Sequence, residues 1–516
     1  MNTAIYFLIG YFLLMLLIGL WATRRASASE EDFLLAGRSL GPAVTALRLQ
    51  SSSMSGYMFQ GAGSLGYTQG YFGMWYALGD LGGGILNLSI IGRRMRRLSQ
   101  MLGSVTSIEY LGNRYNSRLV QQVGAVVALV GLFLYLLAQF VAGGSGLAAV
   151  TGINFQAALL ISAGIIVAYT FLGGYLAVAY TDFVQAIVMV VGMVWILVAT
   201  VAHVGGFQAG NVAVGTLNEN LLSMFGAQRQ YEGQWGLILG ALLVFSIGYM
   251  GWPHVVVSHM AMRSPTVVRK ASVYSMIFNF LFIPSPYLIG VLALVIVPGL
   301  ANPELALFEV SKVVLPTFAV GIVMAAVMAA IMSTADALLL QASTIVSRDI
   351  AGRFLPASMS PRTHVWVSRV TVLAMSAAAI ALALWQPPSV LSMALYATTI
   401  LGSSFAPAYI CAVWWKKANS VGALASIIAG AVASVSWDVV GLTAATNLDP
   451  MVAGLGASTL AMVLGSLATQ KSHPVPDTIT RAITLAAAAP GSTKNTSAAR
   501  LAREEDAQLL CQMPNP

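Results

Sequence analysis

Leu49-Gln50-Ser51-Ser52-Ser53-Met54-Ser55-Gly56-Tyr57 interrupts a long apolar run with small and polar residues. Phe245-Ser246-Ile247-Gly248-Tyr249-Met250-Gly251-Trp252-Pro253-His254 does the same at the corresponding place in the second half of the chain. In a bilayer every unpaired backbone N–H or C=O is costly, so unwound chain persists only where protein encloses it around a site. Paired breaks in two halves point to the binding site of a secondary transporter.

The surrounding composition puts those breaks in a membrane. Of 516 residues, 58% are hydrophobic and 9% charged, against roughly 25% charged in soluble domains. The net charge of +8 would suit nucleic acid, but Lys and Arg gather in short loops. These are Arg24-Arg25, Arg93-Arg94-Met95-Arg96-Arg97, Arg269-Lys270, Arg348 to Arg362 and Lys416-Lys417. That is the positive-inside pattern, and no nucleic-acid partner is expected. The first apolar segment has no basic residue before it and two arginines after it, the reverse of a secretory signal. It reads as a retained helix with its N-terminus outside. Cys411 and Cys511 are the only cysteines, too few for a disulfide framework or a cysteine metal site.

Spans of about 20 apolar residues number thirteen, at 4–22, 40–66, 72–92, 120–148, 154–177, 181–204, 234–257, 271–298, 316–345, 364–385, 388–413, 420–441 and 451–469. Starting outside, every basic cluster then falls on the inner side, and Arg48 alone among basic residues falls mid-span. Spans two to six (about 40–204) and seven to eleven (about 234–413) form two five-helix sets of opposite orientation, each opening on a break. That is an inverted repeat. Residues 1–470 are the expected transmembrane domain, with loops 205–234 and 298–316 long enough to act as lids. Residues 471–516 are expected to be a cytoplasmic, partly disordered tail.

Span nine carries Ala330-Ile331-Met332-Ser333-Thr334-Ala335-Asp336. A dehydrated Na⁺ wants hard oxygens; Ser333 and Thr334 offer adjacent hydroxyls, and the break at Ser51 to Met54 offers free carbonyls. The bland alternative is that these hydroxyls bond back to their own helix. Asp336 on the next turn favours function, because an intramembrane carboxylate is expensive. Asp182 reads either as a helix N-terminal carboxylate or as a second cation or proton relay with Asp336. Arg48 needs a partner, since a lone mid-membrane arginine costs at least roughly 2.5–3.5 kcal/mol. Asp80 in span three lies about 5 Å from it in depth on the 1.5 Å helical rise. A structural Arg48–Asp80 ion pair is therefore expected, with Arg48 as a substrate-carboxylate clamp as the alternative. The half-helix after the first break, at Ser55 and Gly56, offers N–H groups and a positive dipole end to a solute carboxylate. Tyr57, Phe59, Tyr135, Phe245, Tyr249 and Trp252 are candidates for the pocket walls. No residue spacing fits a transition-metal site, a phosphate-cradling loop or a nucleophile–base pair, so an enzyme is not expected.

Several motifs carry a resemblance: Gly37-Arg38-Ser39-Leu40-Gly41-Pro42 followed by Met54-Ser55-Gly56; Phe171-Leu172-Gly173-Gly174-Tyr175-Leu176-Ala177-Val178 with Thr181-Asp182; Gly248-Tyr249 with Pro253-His254; and Met332-Ser333-Thr334. In this order, over roughly residues 5 to 470, the chain resembles the sodium:solute symporter family. The resemblance implies an all-α, LeuT-type 5+5 inverted-repeat fold and Na⁺-coupled solute uptake by alternating access, with Na⁺ as coupling ion and no organic cofactor. It implies a sodium site at the carbonyls of Ser51, Met54 and Ala330 and the hydroxyls of Ser333 and Thr334. It ties Asp182 and Arg38 to coupling, and puts the solute at Ser55, Gly56, Tyr135, Phe245, Tyr249 and Pro253. Against the family's proline-carrying branch, Ser53 replaces an aspartate, Phe245 a tryptophan and Trp252 a glutamine. Arg48 replaces a small residue and Asp80 an apolar one. The expected solute is thus an amino acid such as proline, or a small monocarboxylate. The expected setting is the lipid bilayer of a bacterial inner membrane, with a monomer as the working unit. H⁺ coupling through Asp182 and Asp336, and a non-enzymatic transceptor, are the alternatives.

Overall fold

The computed structural model describes residues 2–25, 34–172, 174–351, 361–385 and 387–487. Among them there is no strand; the one β-bridge joins Leu40 to Met262. The main helices are α1 (Asn2–Arg25), α2 (Pro42–Ser51), α3 (Gly61–Gln69), α4 (Met74–Asn87), α5 (Arg93–Met101), α6 (Arg118–Thr151), α7 (Phe155–Leu172), α8 (Tyr175–His203) and α9 (Trp235–Phe245). They continue as α10 (Pro253–Met260), α11 (Val267–Phe282), α12 (Pro284–Ile296), α13 (Thr317–Thr344), α14 (Pro361–Trp385), α15 (Val390–Trp414), α16 (Ser420–Val439), α17 (Pro450–Ala468) and α18 (Asp477–Ala487). Eight described stretches are long and apolar enough to cross a bilayer, and shorter apolar helices accompany them. The protein is a multi-pass membrane protein.

Both expected breaks are present, and they are why the helices carrying them fall short of full span length. α2 ends at Ser51, a single turn forms at Gly56–Phe59, and α3 follows. α9 ends at Phe245, a tight turn covers Gly248–Gly251, and Pro253 opens α10. Proline suits that first helical position because its missing N–H would be unpaired there anyway. The start of the first broken helix and the end of the second are tied together: Leu40 N–H donates to Ala261 O at 3.2 Å and Arg263 N–H to Leu40 O at 3.0 Å. α13 is unbroken through Ala330 and Asp336, buried almost throughout, and packed against α1, α6 and α8.

One boundary differs from the sequence reading in a way that matters. α7 ends at Leu172 and α8 begins at Tyr175, after an extended Gly174. Asp182 therefore lies two turns inside α8 rather than at its start, and the helix-terminus reading of Asp182 is withdrawn. Hydropathy ended one span at 177 and opened the next at 181, whereas the helix begins after Gly174. Part of the tail also has structure: α18 buries Ile479, Ala482, Ile483 and Ala486 and packs on α5. The Arg97 guanidinium reaches the Leu485 carbonyl at 3.3 Å. Residues 488–516 lie outside the described residues.

Candidate functional site

The first break meets α13 through oxygen atoms. The Ser333 hydroxyl donates to the Ser51 carbonyl at 2.9 Å and lies 3.2 Å from the Ala330 carbonyl. Ser55 N–H turns to Ser53 O and Met58 N–H to Ser55 O. The carbonyls of Ser51 and Met54 are thereby left outside the helical ladder. The Thr334 hydroxyl is wholly buried and, among the described residues, has no hydrogen-bond partner. Buried hydroxyls are nearly always paired, so this orphan, next in sequence to Ser333, marks a place where a cation would gain a ligand. The donor set is all oxygen, as a hard monovalent cation requires.

The two breaks touch each other directly. The Tyr249 hydroxyl lies 3.1 Å from Leu49 O and donates to the Ser53 hydroxyl, which donates to Gln50 O at 2.7 Å. Around this contact the rings form one cluster. Tyr57 and Phe245 lie 5.1 Å apart, Phe245 and Trp252 6.0 Å, Tyr249 and Trp252 4.9 Å, and Tyr135 and Trp252 6.1 Å. Phe59 does not belong to it; that ring packs on Phe282 at 5.9 Å.

The carboxylate cradle expected at Ser55 and Gly56 is not formed. Gly56 N–H donates to the Gln139 side-chain oxygen at 2.9 Å, and Tyr57 N–H to the Ser55 hydroxyl at 3.1 Å. A Cβ on Gly56 would stand 2.7 Å from Ala142, so this turn is pressed onto α6. The N–H groups that sequence reasoning left for the solute are satisfied by the protein. Gln139 is the residue it missed, although a lone glutamine in the apolar middle of α6 was a visible signal.

The expected Arg48–Asp80 ion pair is likewise corrected. Arg48 pairs with Asp182, Nε to carboxylate 3.6 Å, with both side chains essentially inaccessible. It also donates to the Ser258 hydroxyl at 2.6 Å and stacks over the Tyr175 ring at 4.0 Å. Matched depth was the right criterion but not a sufficient one. α2 packs on α8 and α11, whereas α4 packs chiefly on α9 and α11, so Arg48 faces a different helix. The same corner holds Asp336, whose carboxylate accepts from the Tyr169 hydroxyl at 2.5 Å. Arg38, in a left-handed conformation at φ +50°, clamps three elements through Ser99 (3.0 Å), Met260 O (3.0 Å) and Ser104 O (2.7 Å).

Two broken helices facing an unbroken, hydroxyl-bearing helix across buried oxygens define a helical secondary transporter. The profile of the sodium:solute symporter family matches residues 33–430. Among similar proteins, the high-affinity proline transporter PutP of Bacillus subtilis is 31% identical over 463 residues, 88% of this chain and 96% of its own. The osmoregulated proline transporter OpuE of the same organism is 29% identical over 468 residues, 89% and 94% of the two chains. In fold, the chain is similar to a substrate-bound, outward-open Na⁺-coupled sialic acid symporter (TM-score 0.73, 18% identity, 90% and 97% of the two chains). It is also similar to a nucleobase-cation-symport-1 family transporter in a closed conformation (TM-score 0.57, 16% identity, 88% and 97%). The chain belongs to the sodium:solute symporter family.

Proposed function

We propose that this protein takes up a small organic solute together with Na⁺ by alternating access. The observation that carries the reading is the junction of Ser51 and Ala330 carbonyls with the Ser333 hydroxyl beside the unpartnered Thr334 hydroxyl. Na⁺ would be held there by Ser51, Met54, Ala330, Ser333 and Thr334. It would tie the first broken helix to α13 and so bias the state that accepts solute. Asp182, Asp336 and Arg38 would govern its release. The solute would lie between the breaks, against Ser53, Ser55, Tyr135, Phe245, Tyr249, Trp252 and Pro253. Relatives named for proline make proline one candidate, while Phe245, Trp252 and Ser53 shape a different wall.

Around this site we infer thirteen spans in two inverted repeats of five, an outer N-terminus, residues 1–470 as the transport unit and residues 471–516 as an inner-face extension. The unit works as a monomer in a bacterial inner membrane and is a carrier rather than an enzyme. The test is uptake of labelled solute into membrane vesicles under an imposed Na⁺ or H⁺ gradient. Uptake that follows Na⁺ supports the reading. Uptake that ignores Na⁺ and follows pH would transfer the coupling to Asp182 and Asp336. That second reading rests on the two Asp182 oxygens, which are buried and hold no hydrogen bond among the described residues.

A further inference from the structure

With Arg48 taken by Asp182, Asp80 is a buried carboxylate in the middle of α4 without a counter-charge among the described residues. It is 4% exposed. Among the described residues its oxygens have neither a hydrogen bond nor a cation within 4.0 Å. The Asn279 amide nearby bonds the Asp80 backbone carbonyl, at 3.4 Å, and not the carboxylate. An ionisable group left so inside a membrane is expensive and marks a functional path.

Its helix face looks onto both breaks. One turn before Asp80, Tyr76 meets the Phe245 ring at 6.1 Å. At Gly79 and Gly83 the α4 backbone closes on the carbonyls of Leu242 and Phe245, where an added Cβ would stand only 2.3 and 2.0 Å from the oxygens. One turn after Asp80, Gly84 receives the Gln50 side chain, and Asn87 then donates to Tyr249 O at 3.3 Å. Positions 76, 80, 83, 84 and 87 share one face of a helix, so Asp80 sits at the centre of the surface turned toward the pocket. One further observation agrees. Among the described residues, the wholly buried Gln50 carboxamide beside this face has no hydrogen-bond partner at either its nitrogen or its oxygen.

We propose that Asp80 is the charge-recognition residue of the solute pocket and that the solute carries a cationic nitrogen seated against it. The inference rests on the transport reading above. A cation neutralises the carboxylate, and the faces of surrounding aromatic rings attract it as well. Gln50 then offers a donor and an acceptor to the polar remainder of the solute. A solute whose only charge is a carboxylate meets a like charge at Asp80 and finds the N–H groups of Gly56 and Tyr57 already bonded.

The experiment uses the full-length protein in proteoliposomes under an inward Na⁺ gradient. The probes are the common amino acids, choline, and isosteric pairs differing only in the nitrogen, such as proline with cyclopentanecarboxylate and alanine with propionate. Carried or competing compounds should all bear a cationic nitrogen, with the nitrogen-free member of each pair on the order of a hundredfold weaker or worse. Asp80→Asn should raise KM roughly tenfold or more while Na⁺ dependence persists, and Asp80→Glu should recover part of it. Should Asp80→Asn not fold, the pairs decide on the unaltered protein. A Na⁺-driven solute without a cationic nitrogen, a panel in which no nitrogen cation is carried or competes, or an unchanged KM in Asp80→Asn overturns the proposal. Uptake of an amine that ignores Na⁺ counts against the coupling reading and leaves the role of Asp80 standing.

Discussion

Thr334 and Ser333 are neighbours in sequence with different tasks in the structure. Ser333 already bonds the first break, whereas the Thr334 hydroxyl bonds nothing among the described residues. Thr334→Ala should therefore fold normally and raise the Na⁺ concentration for half-maximal uptake roughly tenfold or more, since a hydrogen-bond-strength contact to a charge is lost. Titrating uptake against Na⁺ at saturating solute checks this, and an unchanged Na⁺ requirement would remove Thr334 from the site. The Arg48–Asp182 pair gives a second prediction. Breaking a buried pair from one side typically costs about 3–5 kcal/mol, while replacing both partners by apolar or neutral groups is much less harmful. Arg48→Met should lower the thermal midpoint of the detergent-solubilised protein, and adding Asp182→Asn should recover most of the loss. Asp80→Asn should leave the midpoint unchanged or raise it, the opposite of what an Arg48–Asp80 latch requires. At this scale the sequence revealed which side chains were too costly to be idle. It did not reveal their partners, because spacing gives depth along a helix axis and partner choice depends on the direction each helix faces.

The elements matter here chiefly through how closely they approach. α4 reaches the second break only because Gly79 and Gly83 carry no side chain. Gly83→Ala should push α4 away from Phe245 at an overpacking cost of about 1–3 kcal/mol. It should depress uptake more than it depresses folding, because Asp80 moves with the helix. Comparing uptake per folded protein with the thermal midpoint separates the two effects; equal losses in both would reduce Gly83 to a packing residue. The breaks themselves were readable, since runs of Ser and Gly or Gly and Pro cannot continue an apolar helix without reason. The glycine-lined approach of α4 was not readable, because glycine in an apolar segment looks the same whether it faces lipid or a neighbouring carbonyl. The start of α8 at Tyr175 was likewise hidden: hydropathy opened the span at 181, whereas the helix begins after the extended Gly174.

Across the whole molecule, the architecture joins two broken helices, one continuous helix and a charge cluster into a device that Na⁺ can bias. The family and its fold were legible from ordered motifs spread over nearly the full chain. The character of the solute was not, because a pocket wall is made by side chains that only the packing of separate helices brings together. A membrane potential of about 100 mV contributes about 2.3 kcal/mol per charge. One Na⁺ per neutral solute then supports accumulation on the order of 50-fold, and dissipating the potential should abolish most of it. The most direct test measures ²²Na⁺ entry and labelled-solute entry in the same proteoliposomes. The account predicts that each accelerates the other at a fixed ratio, and that both couplings fail together in the Ser333→Ala/Thr334→Ala double variant. Solute entry at full rate without Na⁺, or Na⁺ entry indifferent to solute, would contradict it.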